Sequence, residues 1–317
     1  MDRAELLGLR VAVLAGGWSD EKAISLDSGR ACQAALREAG FASVDLLDPA
    51  DEGFVATLEA GGYDVAFVAM HGRYGEDGCV QGMLEVLHIP YTFSGVAASA
   101  VGTDKQLAKE VVASAGVPVP RGFNVGPRAR LDDADLEDVE EALGLPLFVK
   151  PANNGSSYGI TRVTRIDQLN DAIAVAGAQG SRVLVEECVQ GTEITVAVLG
   201  NDDARALPIV EIVTGAEFYD TKVKYEPSEL HHVIPARLPE GDYHRAQELA
   251  VAAHRALGCR GCSRSDFIVS ARGPVYLETN TIPGMTATSL LPDAARHDGI
   301  EFPELCCRFV ELALEGA

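Results

Sequence analysis

Through the first ninety residues, apolar runs that close on glycine alternate with amphipathic stretches. Arg10–Gly16 is a β-branched apolar run ending in Gly16-Gly17, which predicts a strand. From Asp20 to Glu38 the residues Ile24, Cys32, Ala35 and Leu36 fall along one side, which predicts a helix. Shorter runs at Ser43–Leu47 and Asp64–Met70 repeat the strand signal, so this part reads as a βαβ-type unit on a parallel sheet. Ligands of open α/β sheets gather at the carboxyl ends of the strands, here the loops Gly16–Glu21 and His71–Gly78.

The pattern then changes. A helix is predicted from near Thr103, with Thr103 or Asp104 as N-cap, and Pro118 and Pro120 end it. An acidic, polar segment, Gly126–Glu141, precedes a strand at Leu147–Lys150. Strands at Gly159–Val163 and Arg182–Glu187, with a helix at Ile166–Ala178, complete a small block that is mostly sheet-forming. Longer strands follow at Glu193–Leu199 and Ala206–Ile212, then a helix over Tyr243–Leu257, two more strands and a terminal helix, Pro303–Leu314. Thr214–Pro235 shows little periodicity and reads as a long loop, a lid or a disordered insertion. The divisions expected are residues 1–103, 104–190 and 191–317.

At 317 residues and 47% hydrophobic content the chain suffices for about two domains with substantial cores, which excludes a disulfide-stapled or disordered peptide. Lys and Arg number 26 against 47 Asp and Glu, a formal charge of −21 that argues against nucleic acid or an anionic membrane surface as the main partner. No run approaches the roughly 18 to 20 apolar residues of a membrane span, and no basic-then-apolar leader opens the chain, so a cytoplasmic protein is expected. Seven cysteines, an odd number without framework spacing, read as buried thiols in a reducing compartment rather than disulfides or a zinc site.

Chemistry concentrates in five places. Arg264–Ser270 and Val275–Asn280 alternate on either side of Gly273-Pro274, which reads as an antiparallel hairpin. With its turn near Arg272, Asp266 lies opposite Glu278, and Asn280 shares the Glu278 face, with Arg264 beside them. Crowded carboxylates and an amide carbonyl suit Mg²⁺ that bridges phosphates; the alternative is a solvated face on which Glu278 and Arg264 pair. Lys150-Pro-Ala-Asn-Asn-Gly155-Ser156-Ser157-Tyr158-Gly159 is a small-residue loop between strands that can approach phosphate oxygens, or a plain turn. The strand Arg182–Glu187 empties into Glu186, Glu187 and Glu193, which can present a carboxylate to a purine edge or merely end in solvated charge. In the first unit, Glu21 and His71 can meet across adjacent strand ends, unless Ser19 or Asp20 only caps a helix. Last, Pro283-Gly284 turns into a hydroxyl-rich stretch through Ser289 and Leu290 that looks like a helix N-terminus, favourable to a carboxylate.

GGWSDEKAISLDSG at Gly16–Gly29, HGRYGEDGCVQGMLE at His71–Glu85, VKPANNGSSYG from Val149, FYDTKVKY at Phe218–Tyr225, and RSDF with LETNTIPGMT stand in that order from Gly16 to Ser289. Together they closely resemble the D-alanine–D-alanine ligases of the ATP-grasp superfamily. The resemblance implies an α/β and α+β chain with a three-domain ATP-grasp fold and an N-terminal parallel-sheet domain. It implies ATP, two Mg²⁺ ions for which Mn²⁺ can substitute, D-alanine as substrate, a homodimer, and a dipeptide product for peptidoglycan and the cell wall.

Residue by residue, the resemblance implies that Asp266, Glu278 and Asn280 hold the metal ions, and that Lys105, Lys150, Ser156 and Ser157 contact phosphates. Glu186 and Val189 are implied at the adenine edge with Glu187 beside them, and Glu193 at the ribose hydroxyls. Glu21 pairs with the first substrate's ammonium and His71 lies near its carboxylate. Arg264 and the Gly284 N–H face the oxyanion, while Ser289 and the Leu290 N–H bind the second substrate's carboxylate. Thr214–Pro235 becomes a lid that brings Lys224 to the transferred phosphate and Tyr225 to Ser25 and Glu21. Three positions depart from the family's habit: Ala23 where a second acid is common, Glu187 where a lysine often sits, and Phe93 where a glycine is usual. The Lys224-Tyr225 pair resembles the members that accept D-alanine rather than D-lactate. Two rivals remain: a ligase for other small amino or hydroxy acids, and an ATP-binding scaffold with a degenerate site.

Overall fold

The computed structural model describes residues 2–153, 159–179, 182–214, 230–286 and 289–315. A short helix α1 (Arg3–Leu7) leads into β1 (Arg10–Leu14), then α2 (Lys22–Glu38), β2 (Ser43–Leu47), α3 (Phe54–Ala60) and β3 (Val65–Val68). The three strands form a parallel sheet in the order β2-β1-β3. Val11–Leu14 and all of β3 are buried, as strands covered by helices on both faces must be. Helix α2 lays Ser25, Ser28, Gly29, Cys32, Ala35 and Leu36 on the sheet. Its approach is so close that a Cβ on Gly29 would stand 2.3 Å from the Cβ of Ala15.

Helices α4 (Cys79–Val86), α5 (Val96–Thr103) and α6 (Lys105–Ser114) carry the chain to a four-stranded antiparallel sheet. That sheet holds β4 (Gly122–Val125), β5 (Leu147–Pro151), β6 (Thr161–Val163) and β7 (Val183–Glu187) in the order β4-β7-β5-β6. Helices α7 (Asp133–Leu143) and α8 (Leu169–Gly177), the latter entered through a 3-10 turn at Ile166–Gln168, close its core around Leu147, Val149, Val163, Ile173 and Val185. A third, antiparallel sheet runs β11-β10-β8-β12-β13, with β9 against β8. It comprises β8 (Thr192–Leu199), β9 (Arg205–Ala206), β10 (Val210–Thr214), β11 (Leu230–Val233), β12 (Cys262–Ser270) and β13 (Gly273–Asn280). Helix α9 (Glu240–Ala256) packs on one face, and α10 (Leu290–His297) and α11 (Phe302–Leu314) finish the described chain.

Packing crosses the expected divisions at residues 103 and 190. Helix α6 lies against β13 and α9, in the core of the third sheet, while α11 returns to pack on α2 and β3 of the first unit. There Phe93, Phe67 and Phe309 stack with centroids 5.7 and 4.9 Å from Phe93, each ring buried and each contributing about 2 to 3 kcal/mol. Phe93 also has φ of +70°, the left-handed region, which gives the physical reason a glycine is usual at this position. Here the buried ring offsets the backbone cost.

Several elements differ from the sequence expectation. The acidic segment runs into α7, begun by an Asp132–Asp135 capping box, whose Leu136, Val139 and Leu143 reach the second sheet's core between six exposed acidic residues of the helix. The expected strand Ala206–Ile212 is two, because Pro208 has no N–H to donate and separates β9 from β10. The long loop is shorter than expected, since Leu230–Val233 pairs antiparallel with β10; residues 215–229 lie outside the described part. Helices α1, α3, α4 and α5 were not anticipated, being too short to show periodicity. Of the seven thiols five are buried, whereas Cys79 is exposed and Cys188 intermediate.

Candidate active site

The β12–β13 hairpin places Asp266 opposite Glu278 and Arg264 opposite Asn280; regular alternation from the Ser270–Gly273 pair would have set Asp266 opposite Leu277, and the bulge there supplies the difference. A register shift just after Asp266 re-aims the strand there. On its other side β12 meets β8, and the hydroxyl of Thr195 donates to the Asp266 carboxylate. Arg264 grips the same carboxylate through Nε and a terminal nitrogen, each at 3.2 Å, and Asn280 Nδ2 lies 3.5 Å away. Lys105 Nζ meets Glu278 at 2.7 Å. Arg264 thus serves Asp266, and Glu278 has a lysine from another element.

Glu193 enters from β8. Burial, then the charges of Asp266 and Glu278, push its carboxyl up to about 7. Negative charge is therefore under-compensated on this face, and a divalent cation fits. Among the described residues no three His, Cys, Asp or Glu gather as a self-sufficient metal site. Two carboxylates and an amide suit Mg²⁺, which usually takes one or two carboxylates and completes its shell with phosphates and water.

A lysine cluster near this face, close enough for Glu278 to act on Lys150, carries the reverse charge. Glu186, expected at the adenine edge, has its side chain buried between two lysines: Lys109 from α6 on Oε1 and Lys150 from β5 on Oε2 at 2.6 Å. That carboxylate is therefore unavailable to a base in this arrangement, which leaves its backbone for such a contact. Burial would raise the Glu186 carboxyl, but the Lys150 and Lys109 charges win and hold it below its ordinary value. Burial and the neighbouring Lys150 push Lys109 down to about 7, while Glu186 overcomes burial to keep Lys150 raised.

Glu187 turns the other way. It accepts from Arg121 Nε at 2.9 Å and from Arg272 at 2.7 Å, joining the start of β4 to the hairpin turn. Burial opposes its ionisation, but those two arginines hold it at about 2. The acid that stands where a lysine is common thus has two cations of its own. Val189 lies half-buried in the connection between β7 and β8.

At the parallel-sheet unit, Ser19 Oγ donates to the His71 carbonyl at 2.7 Å. His71 Nε2 is 3.1 Å from Ser28 Oγ, and its Nδ1 faces Glu76 at 3.8 Å. Glu21 reaches the same loop: a Cβ on Gly72 would be 2.8 Å from its carboxylate. Ser25 is fully buried, accepting from Gly16 N and donating to the Ala69 carbonyl, both at 2.8 Å; the lid tyrosine expected beside it lies outside the described residues. It braces two strand ends. At the other end Ser289 stands at the N-cap of α10 and Leu290 in its first turn, with Ser289 Oγ accepting from Thr286 N at 3.0 Å. A Cβ on Gly284 would lie 2.9 Å from Ser289 Oγ, so turn and helix end are in contact. Ser156, Ser157, Lys224 and Tyr225 lie outside the described residues.

Of these groups Ser19, Glu21, Glu76, Lys105, Glu278 and Asn280, joined by Gln179, line a cleft of about 680 Å³, while Asp266, Arg264, Glu193, Glu186, Lys150, His71 and Ser289 are not in its wall. Lys109, Glu76 and Thr195 were missed from sequence. Lys109 follows Lys105 by one helical turn, which is the signal that would have found it.

Comparison with known proteins bears on the family and the fold. The family model described as "D-ala D-ala ligase C-terminus" matches residues 111–311, and "D-ala D-ala ligase N-terminus" matches residues 50–94. The chain is 44% identical to the D-alanine–D-alanine ligase of Desulforamulus reducens, over 98% of this chain and 100% of that protein. It is 47% identical to that of Desulforudis audaxviator, over 96% and 99%. A crystal structure of D-alanine–D-alanine ligase from Bacillus anthracis superposes with a TM-score of 0.83 at 31% identity, covering 97% of this chain and 98% of that one. The same enzyme complexed with ATP gives 0.82, at 31% identity and 97% of each chain.

Proposed function

Because the chain belongs to the D-alanine–D-alanine ligase family, we infer that it joins two D-alanines into D-alanyl-D-alanine for peptidoglycan precursors, converting ATP to ADP and phosphate. Joining two zwitterions through an amide in water is uphill, so the first carboxyl must acquire a leaving group in a site that excludes water. Its oxygen attacks the terminal phosphorus of ATP, the bond to ADP breaks, and an acyl phosphate forms. The free amine of the second D-alanine then attacks the acyl carbon. The tetrahedral intermediate expels phosphate, and the nitrogen gives up its proton.

In this reading Glu21 holds the first ammonium and His71 lies beside the first carboxylate. Arg264 and the Gly284 N–H face the developing oxyanion, where fixed donors are most effective. Ser289 and the Leu290 N–H, at the positive end of α10, take the second carboxylate. Lys105 and Lys150 meet the phosphates, Val189 and the backbone of Glu186 the adenine, and Glu193 the ribose. Asp266, Glu278 and Asn280 would hold two Mg²⁺ ions, which when bound neutralise charge along the triphosphate. The division at residues 103 and 190, the homodimer and a cytoplasmic location belong to the same proposal. Among the described residues no helix is long and apolar enough to cross a membrane.

One observation carries the assignment: Asp266 faces Glu278 across the hairpin, and Glu278 with Lys105 lines the cleft that Glu21 also lines. A phosphate-release assay with ATP and Mg²⁺ over D- and L-amino acids and D-lactate tests it. Phosphate and dipeptide should appear with D-alanine alone; faster turnover with an L-amino acid or with D-lactate as acceptor would overturn the substrate assignment.

A further inference from the structure

Among the described residues Lys109 and Lys150 share one carboxylate in direct contact, with Glu278 acting on Lys150 from farther off. Lys109 and Glu186 are 4% and 2% exposed, and Lys109 and Lys150 share Glu186, one on each oxygen. A surplus interior cation is unfavourable unless something anionic completes it. Helix α6 is also fastened on both sides. Its N-cap Asp104 pairs with Arg182 at 2.8 Å, and Lys105 N donates to the Ala152 carbonyl at 2.9 Å, both on the side of the second sheet. One turn apart, Lys109 reaches Glu186 on that sheet and Lys105 reaches Glu278 on the third at 2.7 Å.

We propose that Lys109 is a positioning residue for nucleotide binding: by occupying one oxygen of Glu186 it keeps that carboxylate from neutralising Lys150, whose charge then serves a triphosphate. This rests on the ligase reading for the identity of the anion. Without Lys109, Glu186 and Lys150 form a one-to-one pair with no net charge, and the cluster loses its attraction for phosphate. Burial and Lys150 push Lys109 down, and an anion beside Lys150 opposes that shift, so the charged form of Lys109 and the bound phosphate favour each other.

The test is Lys109→Met beside Lys109→Arg, with KM and kcat for both substrates, direct ATP affinity without D-alanine, and thermal denaturation. Lys109→Met should raise the ATP KM and weaken ATP binding by about tenfold or more, with kcat and the D-alanine KM within about threefold and no fall in Tm. Lys109→Arg, which still donates to Glu186, should recover most of the affinity. Three results would overturn the proposal: unchanged ATP affinity in Lys109→Met, an equal loss in every parameter, or a Lys109→Met chain that does not fold, since the surplus cation must be dispensable for folding. Loss of D-alanine dependence in the unmodified protein would instead sink the ligase reading, while ATP affinity would still judge Lys109.

Discussion

Glu186 at the end of β7 and Glu193 at the start of β8 flank one connection, yet their carboxyls are driven in opposite directions. Two lysines overcome burial at Glu186 and keep it ionised, whereas at Glu193 burial and two carboxylates add together and raise it to about 7. The same side chain is an anchor for cations in the lysine cluster and a source of repulsion on the acidic face. A cationic cluster near an acidic face suits a triphosphate carrying divalent ions. The overall charge of −21 bears on long-range repulsion of polyanions and says nothing of this local lysine cluster.

The contrast can be broken most severely on the acidic face. Asp266→Asn keeps the shape and removes a charge aimed at the metal-bridged phosphates, so ligase turnover should fall by about 10²- to 10³-fold in a folded protein. Turnover within about threefold of the parent would remove Asp266 from the metal set.

Glu193→Gln sharpens the contrast through stability. The folded carboxyl sits near 7 against an ordinary 4.5, so its contribution is fully present below pH 4.5 and is lost as pH rises through 7. The neutral amide escapes that loss. Unfolded by denaturant without nucleotide or metal, the variant should gain up to about 3 kcal/mol over the parent at pH 8 and nothing at pH 4.5. An equal difference at both pH values would mean that repulsion is not the cause.

The smallest effect belongs to the neighbouring acid. Glu187→Gln should cost about 1 kcal/mol, because Arg121 and Arg272 are more than half exposed and solvent screens them. With Glu187 held at about 2, its contribution is present above pH 4.5 and lost as pH falls through 2. Denaturant unfolding in low and high salt checks this: the cost should shrink at high salt, and a salt-independent cost would point to packing.

The hairpin was legible from its period of two on either side of a turn near Arg272, but the Asp266–Glu278 pair also depends on a bulge just after Asp266 that no local pattern announces. Helix α7 was not, since its few apolar positions are diluted by acidic ones and its partners come from another sheet. Lys109 was hidden for a related reason. A lysine on an amphipathic helix ordinarily points to water, and only the packing of α6 between two sheets turns it inward. That Gly16 and Ala69 converge on the Ser25 hydroxyl was hidden, because nothing local brings those two strand ends together.

By itself the sequence determined the alternation of strands and helices, the order of the glycine-rich loops and the side chains available for chemistry, because periodicity and turn residues act over a few positions. Which charge meets which was decided by the tertiary structure. Lys105 with Glu278, Lys109 with Glu186 and Arg272 with Glu187 join residues from 77 to 173 positions apart, as counted between their numbers. Coulomb energy and desolvation depend on distance and burial in space, and neither quantity is carried by a local pattern.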